Sequence, residues 1–398
     1  VIFIWKDSGM PASPSTARAI NDRLALELLQ REGPLTAGQL KTMTGLSRPT
    51  VADLVERLQE SGLVRVVGEA GADRRGPNAR LYGIVADRTH LAALDVRTDS
   101  VSVVVADLLG RRLAEASLPI GDGAEPGPAV ERAAALVERT AQGAGAATLH
   151  SVCVGAPGLI DPSTGELRDT TGLPAWHRML VAALQERLPA RVIVENETNL
   201  AAVAEQRLGA AGDRDSFAFL WLGLGVGAGI FLDGRLRRGV SGGAGEIGFL
   251  PVPGTSGIPS AVDCAGGFHS LAGSAAIREL AERHGLAAGA AADIVGTAVA
   301  EDRADFLDAL ADRLALGTAA IAAVLDPGCV VLGGETGHAG GEPLASRVEA
   351  KVARLSPLRT EVRAGTLGGA AVLSGALLTA GEAARGELFG KGAGGAGR

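Results

Sequence analysis

The sequence predicts an α/β chain in two parts: a small winged helix-turn-helix at the N terminus, then a larger body of two similar lobes. Three observations predict it. Residues 34–62 hold two short helical patterns separated by a glycine, and 63–85 hold two strand-like runs around a polar, arginine-bearing loop. Beyond Asp87, apolar strands alternate with helical stretches. The strand–turn–strand pattern of 91–111 returns at 217–235, about 125 residues further on.

In the head, Pro34-Leu35-Thr36 opens a short helix at Thr36, and Leu40 and Met43 are expected on its inward side. Gly45 breaks the pattern with a residue that tolerates a left-handed turn. Ser47 caps the next helix, and Pro49 lies in its first turn, where a missing N–H costs nothing. Val51, Leu54, Val55 and Leu58 recur at helical spacing and should bury that helix's inner face. Gly62 stops it, and strands at 63–67 and 79–85 flank a loop with Arg74, Arg75 and Asn78.

Such a frame lays its second helix in the DNA major groove. Ser47, Arg48, Pro49, Thr50 and Asp53 are then the candidate base-reading end, with Thr36 beside them. Arg74, Arg75, Asn78 and Arg80 are the candidate wing contacts to phosphate or the minor groove. The bland reading is that short helix pairs occur in many helical domains and that a basic hairpin tip is merely solvated. Charge favours the first reading mildly. Residues 10–85 carry ten basic against eight acidic side chains, while the whole chain has a net charge of −7. A slightly basic head on an acidic body suits phosphate contact by the head alone.

Composition limits the classes open to the rest. At 398 residues the chain has room for two or three domains, and with 3% aromatics its core must be aliphatic. Cys153, Cys264 and Cys329 are widely separated, which argues for a reducing compartment and against a disulfide framework. The most apolar run, 217–232, is short and broken by four glycines, so no membrane span is expected. Residues 1–5 are apolar but too short for a signal peptide, and Met10 reads as a natural start. A cytoplasmic protein is expected, with domains at 10–86 and 87–388 and a disordered tail at 389–398.

Within the body, helices are expected at 129–142, 178–188, 270–284, 290–301, 303–325 and 369–384. Strands are expected at 91–96, 101–106, 151–155, 191–194, 217–222, 229–232 and 329–332. Two similar lobes facing one another make a cleft, where ligands gather. Gly223, Gly225, Gly227 and Gly229 alternate with apolar residues, which suits either close approach of a ligand or tight packing. Gly158 ends a rigid Gly-Ala-Pro-Gly turn that serves equally as ligand wall or structure. Asn196 and Glu197 lie where a strand leads into a helix, as ligand residues or as caps. Glu246 stands in a Gly-rich loop; isolated acids usually face water, but the flanking glycines suit close approach of a ligand.

Taken together these residues resemble the ROK family, which groups bacterial repressors with sugar kinases of the hexokinase/actin-like fold. The resemblance covers 16–384 and rests on the head with its Arg-Arg-Gly-Pro loop, the 223–229 glycines, Glu195-Asn196, Gly245-Glu246-Ile247-Gly248 and Val331-Leu332-Gly333-Gly334. It implies that Asn196 and Glu246 hydrogen-bond sugar hydroxyls, and that the glycine turn ending at Gly334 lies on the adenosine side. Three departures stand out. The family's phosphate turn, Asp-x-Gly-Gly-Thr, is here Asp95-Val96-Arg97-Thr98-Asp99. The family's general base is an Asp, and Glu197 stands there, displacing the carboxylate by about a methylene; a misplacement near 1 Å costs roughly 100-fold. The family's zinc histidine is here Phe249, leaving Cys264 and His269 short of the four ligands of a structural zinc.

The sequence therefore predicts no enzyme, no cofactor and no metal. It predicts a DNA-binding transcriptional regulator, a repressor before an activator, whose degenerate kinase body senses a sugar, a sugar phosphate or a related metabolite. Two copies would read a palindromic operator, as a homodimer or homotetramer joined through the body. The alternatives are an active ATP-dependent sugar kinase with a vestigial head, and a scaffold whose cleft binds nothing.

Overall fold

The computed structural model describes residues 14–70, 79–121, 124–168, 174–255, 257–260 and 266–391. The chain forms two compact units. The smaller contains residues 1–91, 106–113 and 381–398; the larger contains 92–105 and 114–380.

The smaller unit opens with α1 (Pro14–Glu32), a helix the sequence reading did not anticipate. It is followed by β1 (Leu35–Thr36), α2 (Ala37–Thr44), α3 (Arg48–Glu60), β2 (Val64–Ala70) and β3 (Ala79–Ile84). The strands make one sheet in the order β1-β3-β2. Thr36 caps α2 in a full capping box with Gln39, and Gly45 ends it at φ 72°. Ser47 caps α3 through the Thr50 N–H at 3.3 Å, with Pro49 in the first turn as expected. Val51, Leu54, Val55 and Leu58 are buried together with Leu26, Leu29 and Leu40. Met43 is not: it is 41% exposed, because α2 is only two turns long and Leu40 alone reaches the core.

The charge on Asp22 of α1 is buried there and is met by Arg57 of α3 at 2.6 Å. Removing one partner strands the other charge, which costs about 3–5 kcal/mol for a fully buried pair. Arg57 is about one-third exposed, so Arg57→Ala should cost the head about 2–3 kcal/mol. Chemical denaturation followed by far-UV circular dichroism checks this; an unchanged midpoint would make the pair ornamental.

The larger unit carries the duplicated pattern. Its first lobe holds β4 (His90–Val96), β5 (Ser100–Asp107), β6 (Arg112–Pro119), α4 (Pro126–Gly143), β7 (Leu149–Ala156), α5 (Trp176–Arg187), β8 (Arg191–Asn196) and α6 (Glu197–Leu208). The second holds β9 (Phe217–Leu222), β10 (Val226–Leu232), β11 (Arg235–Leu236), α7 (His269–Ala272), α8 (Ser274–Arg283), α9 (Ala291–Ala300) and α10 (Ala304–Leu325). It continues with β12 (Cys329–Gly333), α11 (Gly334–Leu355) and β13 (Glu361–Ala364); α12 (Ala371–Lys391) follows, its residues to 380 in the larger unit and those from 381 on in the smaller.

The two sheets run β6-β5-β4-β7-β8 and β11-β10-β9-β12-β13. Numbered within each lobe, both have the order 3-2-1-4-5, which is the repeat seen in the sequence. Leu94, Val103, Val152, Trp176 and Leu180 share the first core. Leu220, Val226, Val330, Phe268, Leu314 and Val348 share the second.

Several boundaries differ from expectation. The helix expected at 270–284 is two, because Gly273 adopts an extended φ/ψ of −73°, 162° between α7 and α8. The last helix starts at Ala371, after a short 3₁₀ turn, and runs to Lys391, past the expected start of the tail. Residues 392–398 lie outside the described residues. Among the described residues no helix is long and apolar enough to cross a membrane.

Candidate functional site

Two groups of side chains carry the chemistry. In the smaller unit, α3 turns Arg48, Pro49, Ala52, Asp53, Glu56 and Gln59 outward while its Val and Leu residues face the core. Of the predicted contacts on α3, Arg48 and Asp53 are the exposed charged groups. The Ser47 hydroxyl is engaged with the Thr50 N–H and hydroxyl, the latter at 2.7 Å, and Thr36 with Gln39. Those three residues shape the helix ends first. Gln59, an amide able to make a bidentate contact with adenine, is an exposed position that cap-focused sequence reasoning passed over.

On the wing, Arg80 is exposed and sits opposite Glu69 in the β2–β3 register. Arg74, Arg75 and Asn78 lie outside the described residues.

In the larger unit, the β7–β8 register pairs Gly155 with Glu195 and Ala156 with Asn196, which sets the two predicted turns side by side. Asn196 Oδ1 accepts the Thr198 and Asn199 N–H groups at 2.9 and 3.3 Å, capping α6. Its Nδ2 donates to the Gly158 carbonyl at 3.0 Å. The cap reading of Asn196 is thus built in the structure. Glu195, buried, accepts from Asn199 Nδ2 at 2.9 Å and from Arg238 Nε at 2.6 Å. That pair ties the loop after β11 to the end of β8, a link with no local sequence signal.

The same loop approaches the Gly158 turn. A Cβ at Gly242 (φ +81°) would lie 1.9 Å from the Ile160 carbonyl oxygen, so only glycine lets the two backbones meet. A Cβ at Gly243 would contact both Leu159 and Glu246. Gly158, Asn196, Glu197 and Glu246 are thus brought into one neighbourhood. Burial, reinforced by the charges of Asp95 and Glu246, pushes the Glu197 carboxyl up to about 7. Its Oε2 is buried with no hydrogen-bond partner among the described residues. Burial also raises the Glu246 carboxyl.

The glycine alternation resolves mostly as packing. Gly227 faces Thr198, and Gly229 lies against Ala202, so α6 rides directly on β10. Gly225 faces the His269 ring.

The turn after β4, which the family resemblance matches to a phosphate turn, carries Arg97. Arg97 Nε donates to Asp95 at 3.0 Å, and its Nη1 donates to Glu335 in the first turn of α11. His177 Nε2–H donates to the Arg97 carbonyl at 3.1 Å. The guanidinium is thus held between two carboxylates, Asp95 and Glu335. Of the zinc-related residues, His269 and Phe249 are described. His269 Nδ1 accepts the Val226 N–H at 3.2 Å and the ring packs edge-on against Phe249. Cys264 lies outside the described residues, and among those described no three His, Cys, Asp or Glu side chains cluster for a metal.

A winged head and a body of two sheets with matching strand order define a helix-turn-helix protein with a hexokinase-like body. The ROK family profile matches residues 92–382, and a MarR family profile matches 20–76. The chain belongs to the ROK family. The xylose repressor of Caldicellulosiruptor bescii is 24% identical over 242 residues, covering 59% of this chain and 59% of that protein. The glucokinase of Halalkalibacterium halodurans is 30% identical over 252 residues, covering 58% of this chain and 76% of that enzyme. A solved ROK family transcriptional regulator, a homolog of the E. coli MLC protein, superposes with a TM-score of 0.76 at 20% identity. That match covers 95% of this chain and 100% of that one, and shows the shared fold.

Proposed function

We infer that the chain is a sequence-specific DNA-binding transcriptional repressor whose ROK body senses a carbohydrate and catalyses nothing. The observation that carries this reading is the capped α3 with Arg48 on its outward face, on a chain whose phosphate turn is filled by Arg97. Likeness to a xylose repressor supports it. Arg48, Asp53 and Gln59 would read base edges, Arg80 with Arg74 and Arg75 would hold the backbone, and Asn78 would support the wing. Gly158, Asn196, Glu197 and Glu246 would line the sugar site. Two copies would be needed for a palindromic operator, and the protein would act in the cytoplasm. A coupling of about 1–3 kcal/mol between sugar and operator would change DNA affinity roughly 5- to 150-fold.

The test is binding to a duplex selected from a random pool, followed by fluorescence anisotropy. Arg48→Ala should lose about 10- to 100-fold on the selected site and little on random DNA. Arg80→Ala should weaken both alike and lower the salt slope by about 1. Equal affinity of wild type for selected and random duplexes would end the repressor reading.

One observation favours a sugar kinase instead. Glu197 pairs a carboxyl poised at about 7 with an unpartnered oxygen, as a general base requires. ADP release with any member of a hexose and amino-sugar panel, lost in Glu197→Gln, would establish that reading.

A further inference from the structure

Arg97 reaches across the body. Its backbone belongs to the turn after β4, in the first sheet, where its N–H closes the turn on the Ser100 carbonyl at 2.9 Å. Its guanidinium reaches Glu335, which stands 238 residues later at the start of α11, directly behind β12 of the second sheet. Three contacts hold the arginine for this task. Asp95 grips Nε, His177 fixes the carbonyl, and the Arg97–Glu335 pair is half-buried, so neither partner sweeps freely through solvent. Glu335 is held too. It lies in the first helical turn, where the helix end favours a carboxylate, and close to Gly223 in the turn between β9 and β10. Burial alone would lower the Arg97 pKa, but Asp95 and Glu335 outweigh it and hold the group above its ordinary value.

We propose that Asp95, Arg97 and Glu335 form an internal strut that holds the two lobes together from within, where a nucleotide would otherwise bridge them. The body then keeps a defined closure with no nucleotide bound, and ionic strength loosens it. This stands on the ion-pair geometry and is independent of which ligand the sugar site takes.

The experiment uses the full chain with Cys264 replaced by serine. Spin labels are attached at Arg139→Cys on α4 and Arg354→Cys on α11, both exposed positions, one in each lobe. Wild type should give one narrow distance distribution, unchanged by millimolar ATP with magnesium, and broadened in 1 M KCl. Glu335→Gln should raise the ratio of long to short distances about fivefold, while Arg97→Lys, which keeps a charge for Glu335, should retain most of the short component. Glu335→Gln leaves the Arg97–Asp95 pair in place, so the test stands even if Arg97→Lys proves insoluble. Unchanged distances in Glu335→Gln, or a wild-type distribution that narrows only when ATP is added, would overturn the proposal.

Discussion

Gly229→Val is expected to lower the melting temperature of the body by about 6 °C or more. Any Cβ at this position would lie 2.5 Å from the Ala202 Cβ and 3.2 Å from the Thr198 carbonyl oxygen. Neither neighbour can rotate away, since one is a methyl on the helix and the other is backbone. Accommodation requires α6 to lift from β10, and overpacking of this kind costs about 3 kcal/mol. In a domain of this size 1 kcal/mol is worth about 2–4 °C. Because α6 begins at Glu197 and is capped by Asn196, the same shift should disturb the sugar site proposed above. Gly127→Ala is the control: nothing lies within 4 Å of its Cβ, so stability should hold or rise slightly. Calorimetry of both variants checks the argument, and a Gly229→Val protein that melts with wild type would show that the glycines serve something other than packing.

Glu197→Gln should stabilise the protein at pH 8 by about 2–3 kcal/mol, with almost no effect at pH 4.5. The Glu197 carboxyl is raised from 4.5 to about 7, first by burial and then by Asp95 and Glu246. An acid whose folded pKa lies above its unfolded one favours folding while protonated. That advantage is complete below about 4.5, fades as pH rises, and is gone above about 7, where the folded chain must carry a carboxylate that burial disfavours. Glutamine keeps the shape without the charge. Urea midpoints for both proteins from pH 4.5 to 8 should therefore diverge upward through this window. Parallel curves would place the Glu197 carboxylate in contact with water throughout.

Much of the architecture was legible because local signals and burial agreed. Ser47, Pro49 and the Val51–Leu58 spacing define α3 without help from the rest of the chain, and both glycine stops around it have the backbone they suggest. The duplicated lobes were visible because β4 and β9 are each nearly all apolar. α1 escaped because its apolar residues face two ways: Leu26 and Leu29 are buried while Ile20 is 58% exposed, which blurs the helical period. α11 escaped because its first half holds Gly334, Gly337, Gly340, Gly341 and Pro343, which locally read as a loop. Tertiary contact reverses that reading. A Cβ at Gly337 would lie 2.7 Å from the Leu332 backbone, so the glycines let α11 seat on β12, and the helix kinks at Gly341 (φ 52°, ψ −157°). In the site, the absence of glycine from residues 95–99 was plain from sequence, but Glu335 and His177 as partners of Arg97 were not. No periodicity links residues so distant; only the fold brings them together.

The smaller unit is assembled from three separate stretches of chain. Leu108 N–H donates to the Ala86 carbonyl at 3.0 Å, and Arg385 Nη1 donates to the Leu108 carbonyl at 3.3 Å. A fragment cut after residue 86, where the strand pattern ends, would thus leave behind two of its own pieces. Anyone wishing to study the winged head in isolation would need to graft those pieces back, because linear order along the gene is not the order in which this module is put together.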